Sequence, residues 1–334
     1  MSRDKTLDFL RVFSMFLVIV IHVANCYGRS FSLISSSSFA ISSVFNMLSR
    51  VSVPIFFMIS GALLIPKVLT REKYIYKVKR MFIVLVLWTV IYALFEYFYV
   101  GVGTNVLNLL VAPQRAHLWF MYAIIAIYIA LPFISKMCNN LTKREENLFM
   151  GLWFFAFLFE FLVKRLLKVS VIYHIPIISG VYYLGYFVIG HIIYKRIREG
   201  KCDYKKYNKY LVLLFIFSNL VILWFTLYNS FRLGSNYKVF FTYSNPLMII
   251  SSLSVYSLVL INMNKIPSFV SYFAPFSFGI YLVHGIFLDV LKTFNFINVN
   301  SIIGVPLFSA ILFFVSYIVI YLLKKIPKID KYIC

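Results

Sequence analysis

Long apolar stretches alternate with short polar segments along the whole chain. A helix of about twenty apolar residues is long enough to cross the roughly 30 Å of hydrocarbon in a bilayer. Ten stretches of that kind lie at residues 7–25, 39–65, 81–99, 117–135, 147–163, 176–194, 209–228, 244–262, 276–293 and 302–323. The pattern predicts an all-α, polytopic membrane helix bundle with ten transmembrane helices. Because the connecting segments are short, we expect residues 1–334 to form one transmembrane domain with no appended soluble domain.

The first apolar stretch carries a line of polar groups. Asp8, Arg11, His22 and Asn25 follow the i, i+3, i+4 spacing of a single helix face. Ionisable side chains inside a membrane are costly and face the bundle interior rather than lipid. Arg11 and His22 are nearly aligned on the helix and lie roughly 16 Å apart in depth. Arg11 either belongs to a polar path that leads to His22 or extends to the inner interface with Asp8 as its partner.

The second apolar stretch, 39–65, is long and contains Arg50, Pro54 and Gly61. Proline removes a backbone donor and glycine loosens a helix, so these residues predict a kinked or broken helix. Broken helices are tolerated in membranes where they line a cavity. Whether Arg50 lies at the midplane or at the outer rim depends on where the helix begins, and the sequence leaves both positions open.

Composition and charge support a membrane location. Of 334 residues, 62% are hydrophobic and 13% are charged, which is far from the balance of a soluble domain. The net charge of +22 comes from cations in short loops rather than from a basic tail, which argues against a nucleic-acid partner. If the N-terminus is cytoplasmic, 23 of the 33 Lys and Arg residues fall in inner segments and 8 in outer ones. This excess predicts that both termini are cytoplasmic.

His22 is the leading candidate for chemistry, because imidazole is the side chain best suited to proton transfer near neutral pH. Three acids lie in the outer halves of predicted spans and are candidates to orient it: Glu96, Glu160 and Asp289. We favour Glu160. The scattered cysteines and the lack of ligand-spaced His, Asp or Glu pairs within one helix argue against a metal site.

Basic residues stand at the inner mouth of the third predicted span. Lys77 and Arg80 lie one helical turn apart. They either reflect the general excess of cations in cytoplasmic segments or form a clamp for a phosphorylated cofactor.

Aromatic residues open the fourth predicted span on the outer side, in the block from His117 to Tyr122. Trp119 and Tyr122 either anchor the helix at the membrane interface or stack on a sugar ring. In the ninth predicted span, Tyr281 and His284 share one helix face.

Taken in order, these segments resemble the membrane-bound acyltransferase family three. Members of that family are bacterial proteins of about ten spans that O-acylate surface glycans and other envelope acceptors. The resemblance covers nearly the whole chain and rests on residues 7–11 with His22, 50–61, 118–122 with Tyr128 and Pro132, 183–190, and 277–284. One departure is Lys77, where many members have a second arginine, so the predicted clamp has a point charge instead of a bidentate fork.

The resemblance implies an O-acyltransferase in the bacterial cytoplasmic membrane. It would move an acyl group, most often acetyl, from cytoplasmic acetyl-CoA or a related acyl-CoA to a hydroxyl of a cell-envelope glycan or lipid-linked saccharide outside. His22 would act as general base or as an acyl-carrying relay. The implied catalytic residues are His22, Arg11 and Glu160. Those for acetyl-CoA are Arg11, Lys77 and Arg80, and those for the acceptor are Arg50, Trp119, Tyr122, Tyr281 and His284.

Two other interpretations remain. The polar face of the first span also suits an exporter of a lipid-linked surface polysaccharide. An inverted-repeat transporter would show matching broken helices in its two halves, and this chain shows no such pair. The third interpretation is a membrane scaffold within a glycan-synthesis complex, for which Arg11 and His22 would be dispensable.

Overall fold

The computed structural model describes residues 4–67, 69–101, 113–166, 176–200, 203–263 and 266–326. In these ranges the chain forms α-helices and short helical turns, and no strand. The α-helices are α1 (Lys5–Arg29), α2 (Ser36–Ser49), α3 (Ser52–Leu64), α4 (Arg71–Phe95), α5 (Trp119–Asn140), α6 (Lys143–Leu166), α7 (Pro176–Arg198), α8 (Asn208–Leu233), α9 (Pro246–Asn262), α10 (Ser268–Phe273), α11 (Ser277–Lys292) and α12 (Ser301–Lys324).

Among the described residues, eight helical segments are long and apolar enough to cross a membrane: Lys5–Arg29, Ser36–Leu64, Arg71–Tyr99, Ala116–Asn140, Lys143–Leu166, Tyr204–Leu233, Phe269–Lys292 and Ser301–Lys324. They coincide with eight of the predicted spans, and the all-helical membrane fold is confirmed. The two other predicted spans fall on α7 and on α9, which has only 17 residues. The number of ten spans and the cytoplasmic position of both termini stay predictions.

Ion pairs bring three helix ends together at one end of the bundle. Asp4 caps α1 and pairs with Arg198 of α7 at 2.9 Å. Glu146 in the first turn of α6 pairs with Lys195 at 2.9 Å and with Arg196 at 2.7 Å, both in the last turn of α7. We refer to this end as the inner end, because it carries the segments predicted to be cytoplasmic, and to the opposite end as the outer end.

The predicted break in the second span lies at Arg50 and Val51, between α2 and α3. Pro54 is in the first turn of α3, where the backbone N–H groups have no partner within the helix. The proline therefore costs α3 no hydrogen bond, and the chain changes direction just before it.

The contact between α3 and α7 is close enough to bring the two backbones together. A Cβ atom on Gly61 would lie 1.7 Å from the carbonyl oxygen of Phe187, and one on Gly190 would lie 2.3 Å from the Cα of Met58. Small residues allow such close packing in membranes. This contact fixes α3, and with it the cavity-lining Phe56 and Ser60.

Candidate active site

A cavity of about 690 Å³ lies inside the bundle and reaches towards both ends. Its lining includes Arg11 and Arg29, which stand at opposite ends of α1. At 1.5 Å per residue these two positions are roughly 27 Å apart along the helix. The cavity therefore extends over most of the thickness of a bilayer, and the polar face predicted for the first span lines it.

Three histidines from separate parts of the chain meet in this cavity. His22 comes from α1, His117 from the helical turn before α5, and His284 from α11. The ring centroids of His22 and His284 are 5.1 Å apart, those of His117 and His284 5.0 Å, and those of His22 and His117 6.0 Å. Among the described residues, no group of three His, Cys, Asp or Glu side chains is arranged to hold a metal ion. Imidazole is the side chain best suited to proton transfer near neutral pH, so the cluster is a candidate site for proton transfer.

Hydrogen bonds fix the ring of His284 and the backbone of His117. Nδ1 of His284 lies 2.6 Å from the carbonyl oxygen of Tyr281, so Nδ1 carries the proton and Nε2 has a free lone pair. The hydroxyl of Tyr281 donates to the carbonyl oxygen of His117 and so ties the turn before α5 to α11. Nε2 of His117 and Nε2 of His284 are buried and have no hydrogen-bond partner in the described part of the protein. Buried ring nitrogens of this kind suit a ligand that enters the cavity.

Sequence reasoning gave His117 no role. His117 stands directly before residues 118–122, which resemble the fourth span of the family. The aromatic residues of this segment predict a membrane interface or a sugar contact, and neither prediction involves a histidine. The only signal for it was the histidine itself, since helix periodicity relates residues within one helix and not across helices.

Gly285 makes room for the ring of His117. A Cβ atom on Gly285 would lie 2.8 Å from Cε1 of His117 and 2.7 Å from the hydroxyl oxygen of Tyr92. Tyr92 cannot move away easily, because its hydroxyl donates to the carbonyl oxygen of Leu282 at 2.7 Å. We expect Gly285→Ala to displace His117 and to lower kcat of the reaction carried out in this cavity by about tenfold. Steady-state kinetics on purified protein would measure this, and an unchanged kcat would show that the position of His117 is unimportant.

Two of the acids predicted as candidates to orient His22 are engaged elsewhere. Arg115 pairs with Glu96 at 3.2 Å and with Asp289 at 2.9 Å, and its guanidinium lies over the ring of Tyr92. Asp289 also accepts from Lys292 at 2.7 Å. These ion pairs join the outer ends of α4 and α11 to the segment before α5, next to the three histidines.

Glu160, the acid we favoured, lies buried on α6 and outside the set of residues that line the cavity. Helix α6 packs mainly against α7 and α9, whereas His22 is on α1. Tyr122 also lies outside the lining, which follows α5 through Trp119, Phe120 and Ile124. The geometry therefore supports neither Glu160 as the partner of His22 nor Tyr122 as a contact of the acceptor.

The inner end of the cavity is basic. Arg11 and Arg80 both line it, near Tyr128, and Arg11 also forms an ion pair with Asp8 at 3.7 Å. A side cavity of about 480 Å³ adjoins it and shares Arg80 and Tyr128. The side cavity is lined by Leu69, Glu72, Lys73, Tyr76, Lys77, Arg80, Met81 and Tyr128. Arg80 thus stands between the cavity that contains His22 and the side cavity that contains Lys77.

Arg50 lies at the break between α2 and α3 and is joined through Asn46 to Asn25 of α1. Its Nε donates to Oδ1 of Asn46 at 2.9 Å, and Nδ2 of Asn46 donates to Oδ1 of Asn25 at 2.8 Å. The guanidinium lies 5.6 Å from the ring centroid of Phe241 and 5.7 Å from that of Tyr243, both in the segment between α8 and α9. These contacts hold Arg50 at the cavity wall.

Trp119 belongs to an aromatic wall beside Arg50. Its ring centroid is 6.0 Å from that of Tyr243, with the planes 29° apart, and 4.9 Å from that of Tyr183. Trp119 and Tyr243 both line the cavity. The apolar faces of sugar rings stack on surfaces of this kind, so this wall suits a saccharide.

The fold and the cavity together define a polytopic membrane protein whose polar interior holds a cluster of histidines. The model of the acyltransferase family 3 domain matches residues 4–325, which is nearly the whole chain. The protein belongs to acyltransferase family 3, as its motifs predicted. Membership supports an acyltransferase in a multi-pass membrane fold. The chain matches no curated protein sequence and no solved structure.

Proposed function

We propose that the protein is an acetyl-CoA-dependent O-acetyltransferase of the bacterial cytoplasmic membrane. It takes acetyl-CoA from the cytoplasm and acetylates a hydroxyl of a cell-envelope glycan or lipid-linked saccharide on the outer side. The observation that carries this proposal is the cavity itself, which joins basic residues at the inner end, the three histidines, and the aromatic wall with Arg50 at the outer end.

The basic inner end suits the donor. The nucleotide part of acetyl-CoA carries several phosphate charges, which cationic side chains bind strongly. In this proposal Lys77 and Arg80 hold those phosphates in the side cavity, and Arg11 lines the route inward. The narrow pantetheine arm then extends past Arg11 towards His22, a distance of roughly 16 Å along α1.

The histidine cluster supplies the base for the transfer. His22 takes the proton of the acceptor hydroxyl while the hydroxyl oxygen attacks the thioester carbon. The bond between carbon and sulfur breaks, and the CoA thiolate leaves with the proton returned from His22. In the relay variant, a histidine nitrogen carries the acetyl group between the two steps. His117 and His284 lie beside the ring of His22 and hold the reacting groups in this part of the cavity.

The proposal is tested with purified protein in nanodiscs, radiolabelled acetyl-CoA and a cell-envelope glycan extract. Label that moves to glycan and is released by mild base supports an O-acetyltransferase. Translocation of lipid-linked glycan across proteoliposomes without acetyl-CoA, combined with no label transfer, would assign the protein to transport instead. Mass spectrometry of envelope glycans from cells with and without the gene would then identify the acceptor.

The donor site makes its own prediction. We expect Lys77→Ala/Arg80→Ala to weaken acetyl-CoA binding by at least about tenfold, because two charge-assisted contacts to phosphate are lost. Isothermal titration on protein in nanodiscs would measure the affinity. Lys136→Ala is the matched control, since Lys136 is exposed at the inner end of α5 and outside both cavities. Equal affinity in the double variant and the control would assign Lys77 and Arg80 to membrane topology alone.

A further inference from the structure

Several cations surround the outer end of the cavity. Arg29 stands in the last turn of α1 and lines the cavity, as does Arg50 at the break between α2 and α3. Lys238 lies in the segment between α8 and α9, half-buried and close enough to both arginines for mutual repulsion. Arg29 and Arg50 therefore bring positive charge to the cavity lining, and Lys238, which lies outside the lining, adds to it from a third element. We refer to Arg29, Arg50 and Lys238 as the outer basic cluster.

The outer basic cluster lacks acidic partners. Within the ranges that the structure describes, no carboxylate forms an ion pair with any of its three members. The opposite side of the same opening is different, because Arg115 and Lys292 are both paired with Asp289. Like charges held together without counter-ions are costly, and the cost falls when an anion binds between them.

Local contacts fix the segment that carries Lys238. The hydroxyl of Tyr237 accepts from Arg165 of α6 at 2.8 Å, and the backbone N–H of Tyr237 donates to the Ser230 hydroxyl at 3.0 Å. Further along, the carbonyl oxygen of Tyr243 accepts from the Tyr186 hydroxyl at 2.6 Å. The chain segment that carries Lys238 is therefore held in place by its neighbours, and Asn46 holds the side chain of Arg50, so both positions are preorganised for a ligand.

We propose that the outer basic cluster binds an anionic group of the acceptor, either a carboxylate or a phosphate, and places the attached sugar ring against the aromatic wall at Trp119 and Tyr243. The acceptor class is thus an acidic saccharide, with its negative charge close to the hydroxyl that is acetylated. This inference rests on the proposed function, because a saccharide is an acceptor only if the protein transfers an acetyl group to it. Binding of the anionic saccharide does not itself require acetyl transfer.

The cluster also makes binding depend on pH. Burial, together with repulsion from Arg29 and Arg50, lowers the pKa of Lys238 to about 8, and Cys26 opposes the shift. Lys238 is thus mostly charged at pH 7 and loses its proton above pH 8. An anion binds the charged form better, so we expect its affinity to fall by about fivefold from pH 7 to pH 9. In Lys238→Arg the guanidinium stays charged and the fall should disappear.

The test measures binding of three probes to protein in phosphatidylcholine nanodiscs by saturation-transfer NMR titration: glucuronic acid, glucose 1-phosphate and glucose. We expect one or both anionic sugars to bind at least about tenfold more tightly than glucose. Arg29→Gln/Lys238→Gln should bind the anionic sugars no more tightly than glucose, while its affinity for glucose stays unchanged. The anionic sugar that binds more tightly distinguishes a carboxylate from a phosphate acceptor. Arg232→Gln is the matched control, an exposed arginine at the outer end of α8 that does not line the cavity.

Equal binding of glucose and both anionic sugars, or no saturable binding of either anion, would overturn the inference. So would an unchanged preference in Arg29→Gln/Lys238→Gln. If phosphatidylglycerol nanodiscs abolish sugar binding in the wild type only, the cluster binds a lipid headgroup and the acceptor assignment is wrong. Failure of the proposed function would give a different result. The anionic sugars would bind as expected to the wild type and the variants, but no acetyl group would be transferred from acetyl-CoA.

Discussion

Replacing His22 with alanine will lower acetyl transfer by about three orders of magnitude, within the range expected for loss of a general base. The protein should still insert and fold, because His22 lines a cavity and a smaller side chain there introduces no clash. The rings of His117 and His284 are the ring neighbours described for His22. The measurement is the initial rate of label transfer from acetyl-CoA to glycan, per amount of folded protein.

His191→Gln is the matched control for this variant. His191 is also a buried histidine, but it lies on α7 and outside the cavity lining. We expect its rate to stay within about twofold of the wild type, since the side chain contacts no reacting group. Full acetylation by His22→Ala protein would refute the catalytic assignment. If the three histidines act as a unit, His22→Ala/His284→Ala should be no slower than His22→Ala alone.

The fold was largely predictable because the bilayer requires every spanning helix to have about the same length and an apolar composition. The break before Pro54 was predictable for a similar reason, since proline and glycine act on the local backbone. Helix α9 was the hardest case. At 17 residues it is shorter than a typical span, and hydropathy alone does not show whether such a helix crosses the membrane.

The site was predictable only within single helices. Arg11 and His22 share a face of α1, and periodicity placed both on the cavity correctly. The partner of His22 lies on other helices, and chain order does not reveal which helices are neighbours. For that reason Glu160 was favoured although α6 packs away from α1, and His117 was overlooked although its ring meets that of His22.

Gly61→Ala will destabilise the assembled bundle. The new methyl carbon would lie 1.7 Å from the carbonyl oxygen of Phe187 and 2.7 Å from its carbonyl carbon. These are backbone atoms of α7, so no side-chain rotation relieves the clash, and α3 and α7 must separate. We expect a cost of about 3 kcal/mol, at the upper end for overpacking, and a fall in melting temperature of about 4 °C for a chain of 334 residues. Thermal unfolding in detergent, followed by size-exclusion chromatography, would measure it.

Gly151→Ala separates this effect from a general intolerance of alanine. Gly151 is exposed on α6, and a Cβ atom there would meet nothing within 4 Å. Alanine also favours a helix over glycine, by about 1 kcal/mol in soluble peptides, so this variant should melt at or above the wild-type temperature. If the Gly61→Ala protein had the same melting temperature as the Gly151→Ala control, the close contact of α3 with α7 would be contradicted. Because α3 begins just after Arg50 and carries Phe56 and Ser60 to the cavity, separation of these helices should also widen the cavity on the inner side of Arg50. Any Gly61→Ala protein that survives purification should therefore lose acetyl transfer before it loses acetyl-CoA binding, since Arg11, Lys77 and Arg80 stand on α1 and α4.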